Sequence, residues 1–467
     1  MELSIGGTTP WISGYAQFCS LFLVEFGSAI LGAPSPRLLE IAVCRDYFAR
    51  EGQFYDQDPP EDVCKISEVQ LQLSWLLTVL STLSVFAATL MQIPMGVLVD
   101  KSSKRLALSL NIASTILYWG CVAVVGSTRI FPVWCFYLAP LFILIGGGPW
   151  ATGALVFAAV NDSVTSEQRT TAFSVMEATS GIADLVGPLL GSLTMSPNIA
   201  TPFLIATLLF FLMFFPAMLL TKNHSTVSLN VQPSNSELPT DESEPLLGDH
   251  ITDRNDTTDQ VPTTNILVRS KYTILATCFG SFFLFYLARD SNNYLIPWVS
   301  FRFDETMAKA GLLFSLRAVV SSLLYFILLP LASSWLIKSK GVEASAKDLA
   351  LSTCGIILSS AGSFLVAMAP NIAALAVGFA MVVLGSSVTV TLRSFLASKV
   401  DVAFSGRLFT AISATGTIGS LVGIPIMGAA YSWGLSHKIR VVGLPFLVSA
   451  VSYLLMVAIL ICFQVKQ

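Results

Sequence analysis

The sequence predicts an all-α membrane protein of twelve transmembrane helices arranged as two six-helix repeats, and three observations carry that expectation. Of its 467 residues 54% are hydrophobic and only 12% charged, with a mean hydropathy of +0.72; soluble chains hold roughly 25% charged residues. Apolar runs of about 20 residues, enough to cross about 30 Å of hydrocarbon, recur from end to end. The two halves of the chain also repeat each other's sequence across a polar middle.

In order, the spans fall near 12–33, 73–98, 106–126, 133–160, 170–195, 202–220, 272–296, 310–333, 349–368, 372–396, 407–432 and 442–463. The opening MELSIGGTTPW lacks the basic start and small-residue cleavage site of a signal peptide, so the first run is expected to stay as an anchor. Several spans carry Gly and Pro in their middles, as at Gly146-Gly147-Gly148-Pro149, Gly187-Pro188 and Gly423-Ile424-Pro425. Membrane helices tolerate these where neighbours satisfy the freed backbone. Continuous runs of this length, rather than ten-residue alternating strands, exclude a β-barrel. Between the sixth and seventh spans, Thr221 to Lys271 is rich in Ser, Thr, Asn, Asp and Pro and cannot bury a core. The expected organisation is an N-terminal six-helix domain (1–220), a disordered cytoplasmic linker (221–271) and a C-terminal six-helix domain (272–467).

Basic residues fix an orientation. Lys101, Lys104 and Arg105, then Arg169, then Lys222, Arg254, Arg269 and Lys271, then Lys338, Lys340 and Lys347, then Lys399 and Arg407 all fall in alternate loops, which are expected to be cytoplasmic with both termini. The one long loop on the opposite side, Pro34 to Leu73, holds more acids than bases. A net charge of −3 gives no reason to expect nucleic acid, and the lipid bilayer is the main partner. The three histidines fall in polar segments and most of the eight cysteines stand singly in apolar runs, so no metal-ligand spacing, catalytic Cys/His pair or cofactor is indicated. Cys44 and Cys64 share the long non-cytoplasmic loop, where an oxidising face permits a disulfide.

The halves match at several places with a nearly constant offset. RTTAFSVMEATSGIADLVGP from Arg169 parallels RLFTAISATGTIGSLVGIP from Arg407, an Asp (Asp162, Asp401) precedes each Arg, and Pro94 answers Pro330. Such duplication marks transporters built from internal repeats.

The turn after the second span reads GVLVDKSSKR, Gly96 to Arg105. Gly96 is expected to let the helix end pack against a neighbour, and Asp100 to accept from backbone N–H groups and pair with a base. This stretch resembles the loop signature G-x-L-x-D-R-x-G-R-K/R of the major facilitator superfamily: Gly96, Leu98, Asp100, Lys101, Lys104 and Arg105 match, and Ser103 replaces the second glycine. The resemblance implies a cytoplasmic gate that locks the halves together, held by Asp100 and Arg105, with Lys104 beside them. NDSVTSEQRTTAF carries Asp162, Glu167 and Arg169 in the family's order and implies a part in the same network. ADLVGPLLG, Ala183 to Gly191, is similar to the proton-antiporter signature G-x-x-x-G-P-x-x-G-G; it implies a hinge at Gly187, Pro188 and Gly191, although Ala183 and Ser192 depart from it and the fourth span lacks the Arg those antiporters carry. The whole chain outside the linker resembles fungal twelve-helix drug or metabolite transporters coupled to protons.

Ionisable residues inside spans are expensive in hydrocarbon and mark cavities. Glu25 lies in the first span, Glu177 and Asp184 in the fifth and Arg317 in the eighth. Counting about 1.5 Å per residue places Glu25, Asp184 and Arg317 at a common depth of about 10 Å. In the family's architecture the fifth and eighth helices adjoin, which implies an Asp184–Arg317 ion pair. With Asp184 so held and Glu177 nearer the cytoplasmic end, Glu25 is the leading proton carrier and the other two are its rivals. Arg289, Asp290 and Arg393, near span ends, are expected to snorkel outward. The substrate cavity is expected to be apolar with aromatic edges, among them Trp75, Trp119, Trp150, Tyr286, Tyr294 and Trp298. ESEPLL, Glu242 to Leu247, fits an acidic dileucine sorting signal.

The expected function is secondary transport of a small organic molecule by alternating access, in the direction of proton-coupled export. A proton-coupled nutrient importer and a non-transporting membrane sensor on the same fold are the alternatives. No catalytic cluster and no ATP-binding loop is present, so neither an enzyme nor an ATP-driven pump is expected. The expected setting is a monomer in the plasma membrane, with the vacuolar membrane as the alternative.

Overall fold

Backbone groups shielded from water must find partners within their own segment, and apolar runs this long meet that demand as helices. The computed structural model describes residues 10–53, 55, 57–101, 104–161, 169–219, 262–341, 343–399, 405–437 and 443–464. Its first half holds α1 (Pro10–Ile30), α2 (Pro34–Arg50), α3 (Glu61–Cys64), α4 (Ser67–Lys101), α5 (Lys104–Ser127), α6 (Ala139–Gly146), α7 (Gly148–Asn161), α8 (Arg169–Met195), α9 (Ala200–Leu212) and α10 (Phe214–Leu219). The second holds α11 (Pro262–Arg289), α12 (Leu295–Phe303), α13 (Met307–Leu323), α14 (Leu329–Lys340), α15 (Ala344–Ala367), α16 (Ile372–Gly385), α17 (Val388–Lys399), α18 (Ser405–Ser436) and α19 (Leu444–Gln464). Among the described residues ten helical stretches are long and apolar enough to cross a bilayer. Helices α8 and α11, of 27 and 28 residues, bring the rods of crossing length to twelve.

Several rods are interrupted, among them those at α6–α7, α13–α14 and α11–α12. Between α6 and α7 the backbone turns left-handed at Gly147 and Gly148, with φ of 83° and 59°, a conformation glycine adopts at little cost. Asn111 of α5 repairs the damage: its amide donates to the carbonyls of Gly146 (2.9 Å) and Gly148 (2.8 Å), and its own oxygen accepts from Thr152 at 2.6 Å. Between α13 and α14 a π-turn at Leu324–Leu328 precedes Pro330, whose missing N–H cannot continue the ladder. Between α11 and α12 a 3-10 turn spans Asp290–Tyr294.

Two expectations are corrected. The seventh rod starts at Pro262, so residues 262–271, assigned to the linker, are helical; 220–261, including ESEPLL, lie outside the described residues. The stretch from Pro34 to Leu73 is largely helical rather than a loop. It caps one end of the bundle, and a polar cluster sits among its mostly apolar buried residues: Arg37 pairs with Glu40, which is wholly buried, and Gln70 donates to Glu40 at 2.6 Å and to the Cys64 carbonyl at 3.2 Å. Cys44 and Cys64 are joined in a disulfide, their Cα atoms 5.5 Å apart.

This capped end is where the halves meet. Glu61 accepts from the Ser300 hydroxyl (3.0 Å) and the Met307 N–H (2.7 Å), and Lys65 donates to the Glu305 carbonyl at 2.9 Å. Deeper in, Ser74 bonds Ser432 and Thr78 bonds Tyr294, both at 2.8 Å. One apolar core runs through both halves here, from Leu73 and Leu76 to Trp298, Tyr431 and Phe446. Toward the other end each half keeps its own core, around Phe282, Leu392 and Tyr453 in the second half and around Met95, Ala107 and Leu155 in the first.

Candidate functional site

Where the shared core gives way, a cavity of about 370 Å³ opens between the halves. The first half contributes Gly32 of the α1–α2 turn, Ser81 of α4 and Asp184 and Pro188 of α8; the second contributes Arg289 and Asp290 from the α11 break and Arg317 of α13. Asp184 and Arg317 approach to 3.8 Å, with half of the Asp184 side chain and 44% of the Arg317 side chain exposed. That is an ion pair looser than a hydrogen bond.

Close helix packing sets this geometry. A Cβ on Gly187 would strike Ala29, and one on Gly191 would overlap the carbonyl oxygen of Ile30, so α8 lies against α1 backbone to backbone. One turn before Gly187 lies Asp184, and beside it Pro188 faces the cavity. On the other side of α8, a Cβ on Gly311 of α13 would press on Ala33 and Ser192. Two tight contacts therefore bring Asp184 and Arg317, from different halves, to one level.

Residues 18–342 match the sequence model of the Major Facilitator Superfamily. The chain belongs to that superfamily. It is 24% identical to the MFS-type transporter aprT of Aspergillus flavus over 94% of this chain and 85% of that protein. It is 25% identical to the MFS efflux pump atnC of Emericella nidulans over 91% and 83% respectively. Among solved structures it shares the fold of the POT family transporter PepTSo, with a TM-score of 0.64 at 14% identity, covering 98% of this chain and 99% of that one. This major facilitator is thus a multi-pass membrane transporter of small molecules, and its family is one of transporters rather than enzymes.

The remaining sequence-predicted residues are spread along the fold. Glu25 is partly buried in α1, and Ala29, which lines the cavity, stands one turn further along on the same face. Glu177 lies in α8, Arg169 begins it, Asp100 lies near the end of α4 and Lys104 begins α5; the side chains of these four, and Asp162 altogether, are outside the described residues. Arg105 is partly buried. Gly96 departs from expectation: it is exposed, and a Cβ there would meet nothing within 4 Å.

The cavity itself differs from the aromatic-edged pocket expected. Trp298 and Tyr294 are buried in the shared core, and Tyr294 serves as a hydrogen-bond partner of Thr78. Arg289 and Asp290 do not snorkel. Arg289 ends α11 and Asp290 opens the 3-10 turn; both line the cavity between the halves, where the Arg289 guanidinium lies 5.3 Å from the Tyr286 ring centre and Asp290 accepts from Ser420 at 3.4 Å. The signal was present in the sequence as the polar run Arg289-Asp290-Ser291-Asn292-Asn293 inside an otherwise apolar span.

Proposed function

We propose that this transporter exports a small organic molecule by alternating access, that protons flowing the other way drive it, and that Glu25 carries the proton. The observation that supports this most is the charged cavity at the junction of the two halves, which has a carboxylate from one half against a guanidinium from the other. A relative named as an efflux pump supports the direction. Glu25 sits one turn from the cavity lining, where a carboxyl takes up a proton from one side and gives it up when water enters from the other. In proteoliposomes, Glu25→Gln is expected to abolish accumulation driven by an imposed pH gradient while keeping substrate binding. Gradient-driven accumulation equal to the parent's would remove Glu25 from the role and pass it to Glu177 or Asp184; accumulation in the reverse direction would indicate the importer.

The same reading assigns the cytoplasmic gate to Asp100 and Arg105, with Asp162, Arg169 and Lys104 completing the network. Asp100→Asn is expected to lower transport at least tenfold with insertion and expression unchanged, since an interaction made in only one of two states biases their populations by its full free energy. Flux at the parental rate would reject the gate.

A further inference from the structure

Four charged side chains line the cavity, and they are not equivalent. The Asp290 carboxylate is turned away: Oδ1 leans on Ser420, and Oδ2 is buried against α18, where a Cβ on Gly423 would lie 2.7 Å from it. It is not placed to meet a ligand. Arg289 is exposed, its guanidinium carbon lies 5.3 Å from the centre of the Tyr286 ring, and it forms no ion pair or hydrogen bond among the described residues. Its N–H donors, not taken by any described residue, are therefore available to a ligand. Among the described residues the one ion-pair partner of Arg317 is Asp184, at 3.8 Å, too far for the bidentate pairing a guanidinium makes with a carboxylate at hydrogen-bond distance. The two guanidiniums also repel each other. The groups that open onto the cavity are therefore two cations and one anion, with more donors than acceptors.

We propose, on the reading of this cavity as the transport site, that the substrate is a small organic acid whose carboxylate binds Arg317 and Arg289 and displaces Asp184. The cavity volume suits a molecule at the small end of the drug-sized range. Binding also acts on the protein. Arg317 belongs to the second half and Asp184 to the first, so a carboxylate that takes Arg317 undoes an ion pair that ties the halves together at the cavity. Substrate charge and the inter-half contact then compete for one guanidinium, which links occupancy to the freedom of the halves to move.

The test uses the full chain in lipid nanodiscs with three probes of equal size: 1-naphthoate, 1-naphthamide and 1-naphthylmethylammonium. Binding is measured at one pH with no gradient, so a failure of proton coupling leaves the result untouched, and a failure here leaves coupling to be judged on its own. Naphthoate is expected to bind about tenfold or more tighter than the amide, the usual worth of charge-assisted hydrogen bonds. Arg289→Gln and Arg317→Gln are each expected to weaken naphthoate about tenfold and to leave naphthamide unchanged. Asp184→Asn is expected to tighten naphthoate several-fold, because the competing carboxylate is gone; a purely structural role for Asp184 would not do that. Amide or ammonium binding equal to naphthoate, no naphthoate binding, or weaker naphthoate binding in Asp184→Asn would each overturn the proposal. If Arg317→Gln does not fold, the Arg289→Gln and Asp184→Asn arms decide it.

Discussion

Asp184 and Arg317 show how far a residue's role depends on what it faces. A buried pair loses about 3–5 kcal/mol when one partner is removed, but about half of each of these side chains is open. Exposed pairs are worth about 0–1 kcal/mol, so this pair contributes little to stability and is free to respond to a ligand. The sequence made both residues conspicuous, because charge inside an apolar run is rare. It marked Arg289 and Asp290 too, as the start of a polar run, but not their role, which depends on a helix break that sets the end of that span against the cavity. Glycines divide in the same way. Gly96 and Gly191 both sit in motif-like stretches, yet only Gly191 touches another backbone, at Ile30. Gly191→Ala is therefore expected to lower stability by about 1–3 kcal/mol, the cost of overpacking a contact that cannot yield. Thermal unfolding of the variant in detergent reads this; an unshifted midpoint would mean that α1 and α8 are not in backbone contact.

Among the elements, α2 was the least visible in the sequence. Its amphipathic pattern is weak because Arg37 and Glu40 are buried along with an unbroken run from Leu38 to Cys44, and Glu40 is completed, beside Arg37, by Gln70, thirty residues on. No local reading finds such a pairing. The break between α6 and α7 was visible as Gly146-Gly147-Gly148-Pro149, but its repair by Asn111 was not, since one Asn within an apolar span announces no partner. Asn111 serves three groups at once, the two carbonyls and the Thr152 hydroxyl. Each buried polar group left without a partner costs about 1–3 kcal/mol. Asn111→Ala is expected to cost at least about 2 kcal/mol, seen as a lower unfolding midpoint, and a neutral result would show that other donors take over the break.

For the whole molecule, the number and order of spans were legible because the bilayer requires about 20 apolar residues per crossing, whereas the conformational state was not, because the same sequence has to pack in more than one. Among the described residues one core joins the halves at the capped end, and toward the other end each half has its own. Alternating access requires those contacts to break in each cycle. Ser74 and Ser432, whose hydroxyls are 2.8 Å apart, report on this directly. The double variant Ser74→Cys and Ser432→Cys is expected to cross-link under mild oxidation and stop transport, with recovery on reduction and the parent chain as control for its native disulfide. Full transport in the cross-linked protein would show that the capped end need not open.

The placement of the tight contacts has a mechanical side. Gly187 and Gly191 fasten α8 to α1, and Ser192 bears on Gly311 of the opposite half, all within the last few residues of α8 before Met195. Helix α8 then works as a lever with its fulcrum near one tip. From Gly191 back to Arg169 the arm is about 33 Å at 1.5 Å per residue, so each degree of rock about that point carries the far tip by about 0.6 Å. A shift at the fulcrum too small to disturb its packing would become a wide stroke at the Arg169 tip, and a slack fulcrum would waste that stroke as wobble.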